Sequence, residues 1–372
     1  FGDFKYTPPT GFLANCAGNM PISEDIDPAK TDDDNPQKQF GVATYTGNGS
    51  TQSINIGFKP DLLWFKNRGG ANSWVMFDST RGTTKTLNSN ATSAESTGAY
   101  TNLDSFTSTG FDLDGGGTGD VNQSSANLIS YCWRANGGTT SSNSSGDITS
   151  TVQANTKAGF SIATYTGNGS VAQSIGHGLS SGAPEFILVK NRSQADAWAV
   201  YHVGIGNSAH LILDTNSAQT TGSAYWGSFT PTTTLFKVGN DHKLNASSEN
   251  YIAYLWHGVE GYSKFGSYKG NGNDNGPYIR TGFRPKMFFI KNVGSSSNWH
   301  VYDTERSTFN VMNDTLNWND NSTEQTDYAY QGFDVLSNGI KVRGSNGLAN
   351  SSGVVYIYGA WGDVPFKYNN TF

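Results

Sequence analysis

Charge is scarce in this sequence. Only 15% of its 372 residues are Asp, Glu, Lys or Arg, the formal net charge is −6, and Lys and Arg form no cluster. A nucleic-acid partner needs a basic face to neutralise phosphates, so this balance argues against one. It argues equally against an anionic membrane surface. No apolar stretch approaches the roughly 20 residues of a membrane span, so membrane insertion is not expected. With two cysteines, Cys16 and Cys132, a framework of small disulfide-stapled domains is excluded. Cys132 lies in the apolar run Tyr131-Cys132-Trp133, which points to a buried thiol; the sequence leaves a Cys16–Cys132 bridge open. Helical periodicity is missing too: no segment shows a convincing 3.6-residue apolar stripe.

Aromatic residues are not scarce. They make up 13% of the chain, beside 45 glycines and much Ser, Thr and Asn. Disordered chains lack aromatics and carry charge, so this is a folded composition. Gly, Asn and Ser supply turns, while Tyr, Phe, Trp, Val and Ile supply pleated faces.

The strongest signal is an internal repeat. Ala43-Thr44-Tyr45-Thr46-Gly47-Asn48-Gly49-Ser50 recurs letter for letter at 163–170, and a weaker copy is Gly266-Ser267-Tyr268-Lys269-Gly270-Asn271-Gly272. Each copy is followed by an apolar run closed by Lys-Asn: Leu62 to Asn67, Phe186 to Asn191, Met287 to Asn292. A Trp comes next (Trp74, Trp198, Trp299), and each unit ends on a second one (Trp133, Trp256, Trp361). The spacings hold: 29, 33 and 31 residues from the motif Tyr to the first Trp, then 59, 58 and 62 to the closing Trp. Three landmarks in one order, three times, define three units.

Each unit reads as seven to nine short strands bounded by turns, a β-sandwich pattern. The expected organisation is a lead-in at 1–40, β-sandwich repeat 1 at 41–136, a flexible Gly/Ser/Thr/Asn-rich linker at 137–158, repeat 2 at 159–260 and repeat 3 at 261–372. Only Gly258 to Tyr262 separates units 2 and 3. Those two are therefore expected to pack rigidly, with unit 1 free to swing. The opening residues, from Phe1, read as the end of an upstream domain in a larger polypeptide.

Few residues suggest chemistry. Glycan hydrolysis needs two facing carboxylates. The candidates Asp78, Asp303 and Glu305 follow the Trp strand, and Asp78 and Asp303 occupy matching positions, which suits a turn or cap better. The six histidines are scattered. Asp112, Asp114 and Asp120 place three carboxylates on a Gly-rich turn, and calcium is the cation such oxygens suit. The distal Glu of the known twelve-residue loop is missing, so a hairpin turn is the simpler reading. No other cofactor is indicated. The repeat-matched Trp residues read as core. Unmatched loop aromatics, Tyr100, Trp226 and Trp318, are the better candidates for stacking on a sugar. They lie in the divergent loops Thr83 to Ser105, Ser217 to Pro231 and Asn313 to Tyr330.

Together these residues resemble a family. Phe4-Lys5-Tyr6-Thr7-Pro8-Pro9-Thr10-Gly11-Phe12-Leu13-Ala14 resembles the end of a SPRY-type β-sandwich of marine tailed-bacteriophage proteins. In those proteins it precedes units opening Thr-Tyr-Thr-Gly-Asn-Gly, here Thr44 to Gly49 and Thr164 to Gly169, and closing on Trp. The segments Gly261 to Tyr268 and Thr281 to Pro285 resemble the same group. The resemblance implies an all-β chain of three tandem jelly-roll, concanavalin-like sandwiches. It implies a non-catalytic virion surface protein, a tail or head fibre, with other virion proteins and host surface glycans as partners. Because fibres are commonly trimeric, it also implies a homo-oligomer. A secreted or cell-surface bacterial lectin or adhesin, and the accessory binding part of a polysaccharide-degrading enzyme, are the alternative readings.

Overall fold

The computed structural model describes residues 35–98, 102–115, 120–326 and 332–362, with residues 223 and 224 described by their backbone alone. Strands account for 45% of the structure and helix for 3%. The fold is all-β, as a chain of turn-bounded strands without helical period requires.

Each unit is a two-layer sandwich of antiparallel sheets. In unit 1 the inner sheet runs Phe40–Thr46, Asn127–Trp133, Leu62–Asn67, Val75–Asp78, Gly82–Leu87 in spatial order. We name the first four its opening, closing, lysine and tryptophan strands. Their counterparts are Phe160–Thr166, Asn250–Trp256, Phe186–Asn191 and Ala199–His202 in unit 2. In unit 3 they are Ser263–Lys269, Val355–Gly362, Pro285–Asn292 and His300–Asp303. Register is kept: Phe40 lies opposite Trp133, Phe160 opposite Trp256, and Ser263 opposite Trp361. The outer sheets are smaller, two or three strands each.

The repeated motif is a joint in this scaffold. The motif Tyr donates its hydroxyl to a backbone carbonyl 2.7 Å away in all three units: Tyr45 to Val121, Tyr165 to Leu244, Tyr268 to Ala349. The next residue along is an Asn each time. Asn122, Asn245 and Asn350 accept from the backbone N–H of Asn48, Asn168 and Asn271, and donate back to the carbonyls of Ser50, Ser170 and Asn273. The glycines follow from the geometry. A Cβ on Gly47, Gly167 or Gly270 would lie 2.1–2.3 Å from a backbone oxygen. Gly49, Gly169 and Gly272 hold φ of 67°, 74° and 64°, where a side chain is strained.

Ahead of their closing Lys-Asn the lysine strands carry an unbroken apolar run, because both faces are covered. In unit 1, Leu63 and Phe65 face the outer sheet, while Leu62 and Trp64 face away from it into a second core. That second core is common to the whole chain. It gathers Trp64, Trp74 and Trp133 from unit 1, Trp198 and Trp256 from unit 2, and Trp299, Trp318 and Trp361 from unit 3. The closing tryptophans form a triangle, with ring centroids 5.8 Å apart for Trp133–Trp256, 6.1 Å for Trp256–Trp361 and 5.5 Å for Trp133–Trp361. Interplanar angles of 64–75° set the positive edge of one ring against the negative face of the next. Three inner sheets therefore enclose one aromatic core around a pseudo-threefold axis.

This arrangement corrects two expectations. Unit 1 does not swing, because a third of the shared core is its own. The polar stretch 137–158 is not a flexible linker: Ser141–Asn143 and Ser150–Asn155 are strands that extend the inner sheet of unit 2. An edge strand is recruited through its backbone, so Val152 and Ala154 supply enough inward apolar surface. Cys132 is a free, buried thiol whose Sγ lies 3.4 Å from Ser130 Oγ. Cys16 lies outside the described residues.

Candidate functional site at the seams and loop tips

The loops singled out in the sequence cross from one unit to the next, always in the same direction. Trp74 donates its indole N–H to Asn317 O of unit 3, Trp198 to Asn88 O of unit 1, and Trp299 to Ile212 O of unit 2. The lysines repeat the pattern. Lys66 Nζ donates to Gly70 O, Asn72 O and Asn321 O, Lys190 Nζ to Asp196 O and Thr92 O, and Lys291 Nζ to Asn292 O and Asn216 O. Burial pushes each of these amines down to about 8. Each lysine thus ties a neighbouring unit's loop to its own strand.

Between these anchors the loops have exposed tips, one per seam: residues 91–98, 215–222 and 320–326, which are half-buried or exposed throughout. They read Ala-Thr-Ser-Ala-Glu-Ser-Thr-Gly, Thr-Asn-Ser-Ala-Gln-Thr-Thr-Gly and Asp-Asn-Ser-Thr-Glu-Gln-Thr. Short hydroxyl and amide side chains on anchored backbone can hydrogen-bond a polyhydroxylated ligand.

The aromatic candidates do not belong to that surface. Trp318 is fully buried, stacked on Trp64 at 4.4 Å with a 14° interplanar angle. Its position in the repeat is a core position, held by Ser89 in unit 1 and Leu213 in unit 2. Trp226 is 1% exposed and meets Tyr201 edge-on at 5.8 Å, inside the core between the two sheets of unit 2. Tyr100 lies outside the described residues.

The carboxylates of the Gly-rich turn each have their own partner. Asp112 accepts from Ser105 Oγ at 3.0 Å, Asp114 accepts from Gly115 N at 2.6 Å, and Asp120 turns inward to Asn72 and Lys66. Among the described residues no three His, Cys, Asp or Glu side chains gather as metal ligands. Among the described residues these three carboxylates do not converge on a calcium site.

Asp78 and Asp303 cap the turns that follow their strands, accepting from Arg81 N and Arg306 N at 2.9 Å. The cap role matches the expectation from the sequence; the charged set around it lies outside that expectation. Arg81 Nε contacts Asp78 Oδ2 at 2.5 Å, and Tyr254 of unit 2 donates to the same oxygen at 2.6 Å. Glu95 bridges Arg81 at 3.2 Å and Arg192 of unit 2 at 2.7 Å. The seam between units 3 and 1 repeats this set: Arg306–Asp303 at 2.5 Å, Tyr131 to Asp303 at 2.7 Å, and Glu324 between Arg306 and Arg68. At the seam between units 2 and 3 all five positions change together, to His202, Ile205, Gln219, Val293 and Gly359. There His202 Nε2 donates to Tyr358 O at 3.1 Å and Nδ1 accepts from Gly204 N at 3.0 Å, which is a neutral ring. Burial pushes its pKa down to about 3. A comparison of Lys-Asn-Arg, Lys-Asn-Arg and Lys-Asn-Val after the apolar runs was the available signal.

The seam between units 1 and 2 has a pH dependence. Burial alone would raise Glu95, but the Arg192 and Arg81 guanidiniums hold it down at about 2, from an ordinary 4.5. A carboxylate with a depressed folded pKa contributes stability above its unfolded value and loses it as the pH falls through the folded one. Urea midpoints are therefore expected to drop between pH 4.5 and 2. In Glu95→Gln that drop should be shallower; an unchanged slope would dissociate Glu95 from acid stability.

One further polar pair lines an open pocket of about 330 Å³ in unit 2. Ser181 Oγ is 2.7 Å from His257 Nε2 and 2.8 Å from Thr156 O, and His257 Nδ1 is 2.9 Å from Gly258 O. The nearby Glu185 accepts from Gly258 N rather than from the imidazole. The serine proton is shared between two acceptors, and a carbonyl, not a carboxylate, orients the ring.

A family model described as "Domain of unknown function (DUF7483)" matches residues 35–365, all three units at once. No curated protein matches the chain.

Proposed function

The chain belongs to this domain family, and we propose that it is a non-catalytic virion surface protein, a tail or head fibre component, that presents its loop tips to host surface glycans. The observation that carries the reading is where the repeated residues are used. The motif Tyr, Asn and Gly, the buried Lys, both Trp sets and two of the three Asp/His positions all serve joints or seams. What varies and stays exposed is the three tips on that scaffold, and binding is commonly placed on loops held by a rigid frame. The resemblance to marine phage proteins supplies the virion setting. The threefold arrangement that fibres reach with three chains is here made within one, which suits a partner of threefold symmetry.

The test replaces only the outward polar side chains of the tips with Gly: Ser93, Ser96 and Thr97, then Ser217, Thr220 and Thr221, then Ser322, Thr323, Gln325 and Thr326, keeping Glu95, Gln219 and Glu324. Glycan-array signal and particle adsorption to host cells are expected to fall by at least about tenfold, while the melting curve changes little, because Glu95 and Glu324 keep their ion pairs and the buried lysines bond backbone carbonyls. Undiminished adsorption would remove the receptor role. Failure to detect the chain in purified particles with an antibody would remove the virion role.

A further inference from the structure

The three units treat one slot in three different ways. The slot lies beside the opening strand, at the margin of the inner sheet and under the outer one. In unit 2 a strand fills it. Ser150–Asn155 runs antiparallel along Phe160–Thr166, with Val152 opposite Ala163 and Ala154 opposite Ser161. Val152 and Ala154 face inward against Gly178, and the Nε2 of Gln153, between them, donates to Ser79 and Thr80 on the turn of unit 1. In unit 3 a side chain fills it: the Tyr358 hydroxyl lies 2.9 Å from the Cβ position of Gly266.

In unit 1 neither device is present among the described residues. The equivalents of Ser161 and Ala163 are Gly41 and Ala43, and Ser130 stands opposite Ala43 where unit 3 has Tyr358. A groove of about 460 Å³ remains along Phe40 to Thr44, with Ile54 and Ile56 as its far wall. Gly41, Val42 and Tyr45 are half-buried, whereas Ser161, Ile162 and Tyr165 are buried. The outer edge of Phe40–Thr46 has no strand beside it among the described residues.

We propose that this groove is a strand-acceptor site for an extended segment of a partner polypeptide. The segment would add antiparallel to Phe40–Thr46 with small apolar side chains at alternate positions. The chemistry of the occupant is set by the chain's own example. Residues opposite Ala43 and Gly41 are small and apolar, as Val152 and Ala154 are. The residue between them is polar and reaches the turn of unit 3, where Glu305 pairs with Lys286, as Gln153 reaches the turn of unit 1. Strand addition takes its affinity from backbone hydrogen bonds and its specificity from such alternating pockets. The inference does not depend on the virion reading.

The probe is a labelled peptide of residues 148–155, Ile-Thr-Ser-Thr-Val-Gln-Ala-Asn, titrated against the full chain. Anisotropy should saturate, and amide exchange across Gly41 to Tyr45 should slow by about tenfold or more. A peptide carrying Val152→Lys and Ala154→Lys should bind at least about tenfold more weakly, without any change to the protein's own fold. Absence of binding and of protection at Gly41 to Tyr45 overturns the proposal. So does slow exchange at those amides before peptide is added. If that slow exchange depends on protein concentration, a second copy is the occupant; if it disappears on deletion of residues 1–34, the chain's own lead-in is.

Discussion

Trp133→Ala is expected to cost about 3–5 kcal/mol and to destabilise all three units together. The ring is 1% exposed and packs edge-on against Trp256 and Trp361, tilted against Phe40 and Trp64. Its removal opens a cavity on the pseudo-threefold axis, where three sheets meet and none can move inward without the other two. Neighbouring side chains therefore relax little, which places the cost at the upper end for a buried aromatic. The readout is the shape of unfolding as much as its midpoint. Calorimetry should show one transition, displaced downward. A variant that melts unit 1 early and leaves two-thirds of the heat uptake unmoved would show that the units fold separately, and the shared core would lose its meaning. Trp318→Ala belongs in the same class, since the stacked Trp64 would lose its partner.

Trp318 also marks what the sequence made legible and what it hid. The opening motif, the lysine strands and the six repeat-matched tryptophans were readable, because strand landmarks at constant spacing constrain a sandwich tightly. Trp318 was not, because its counterparts are Ser89 and Leu213 and the loops around it differ in length. A quieter pattern was present: Leu87-Asn88-Ser89-Asn90, Leu211-Ile212-Leu213-Asp214 and Leu316-Asn317-Trp318-Asn319. The Asn or Asp closing each one accepts from the backbone N–H of Trp74, Trp198 or Trp299. Alternation along a strand says that a face is buried, not against what. Leu62 and Trp64 therefore looked like one wall of a lone sandwich rather than a third of a common core. The stretch 137–158 misled for a related reason. Composition reports side chains, and Ser150–Asn155 is held mostly by its backbone.

Arg81→Ile is expected to cost about 3–5 kcal/mol, because it strands Asp78 without its cation and removes one of the cations paired with Glu95. The Arg81 side chain is 1% exposed and that of Asp78 is fully buried, so water cannot take over the lost contacts. The seam between units 2 and 3 shows the alternative: where Ile205 replaces the arginine, His202 replaces the aspartate, Gln219 the glutamate, Val293 the second arginine and Gly359 the tyrosine. Exchanging a buried ionic set for a packed neutral one is often neutral or stabilising. Adding Asp78→His and Glu95→Gln to Arg81→Ile should therefore return much of the loss, a coupling that separate single substitutions would not show. Tyr254→Gly should not be added alone. Gly359 leaves room for Phe289, whose ring would stand 2.4 Å from a Cβ there, and unit 2 has the smaller Leu188 at that place. Tyr254→Gly with Leu188→Phe, together with Arg192→Val, completes the exchange; without the phenylalanine Tyr254→Gly leaves a void. Urea unfolding of the single, triple and completed variants gives the cycle. A cost below about 1 kcal/mol for Arg81→Ile would mean that the seam is wet and its ion pairs are worth no more than surface ones.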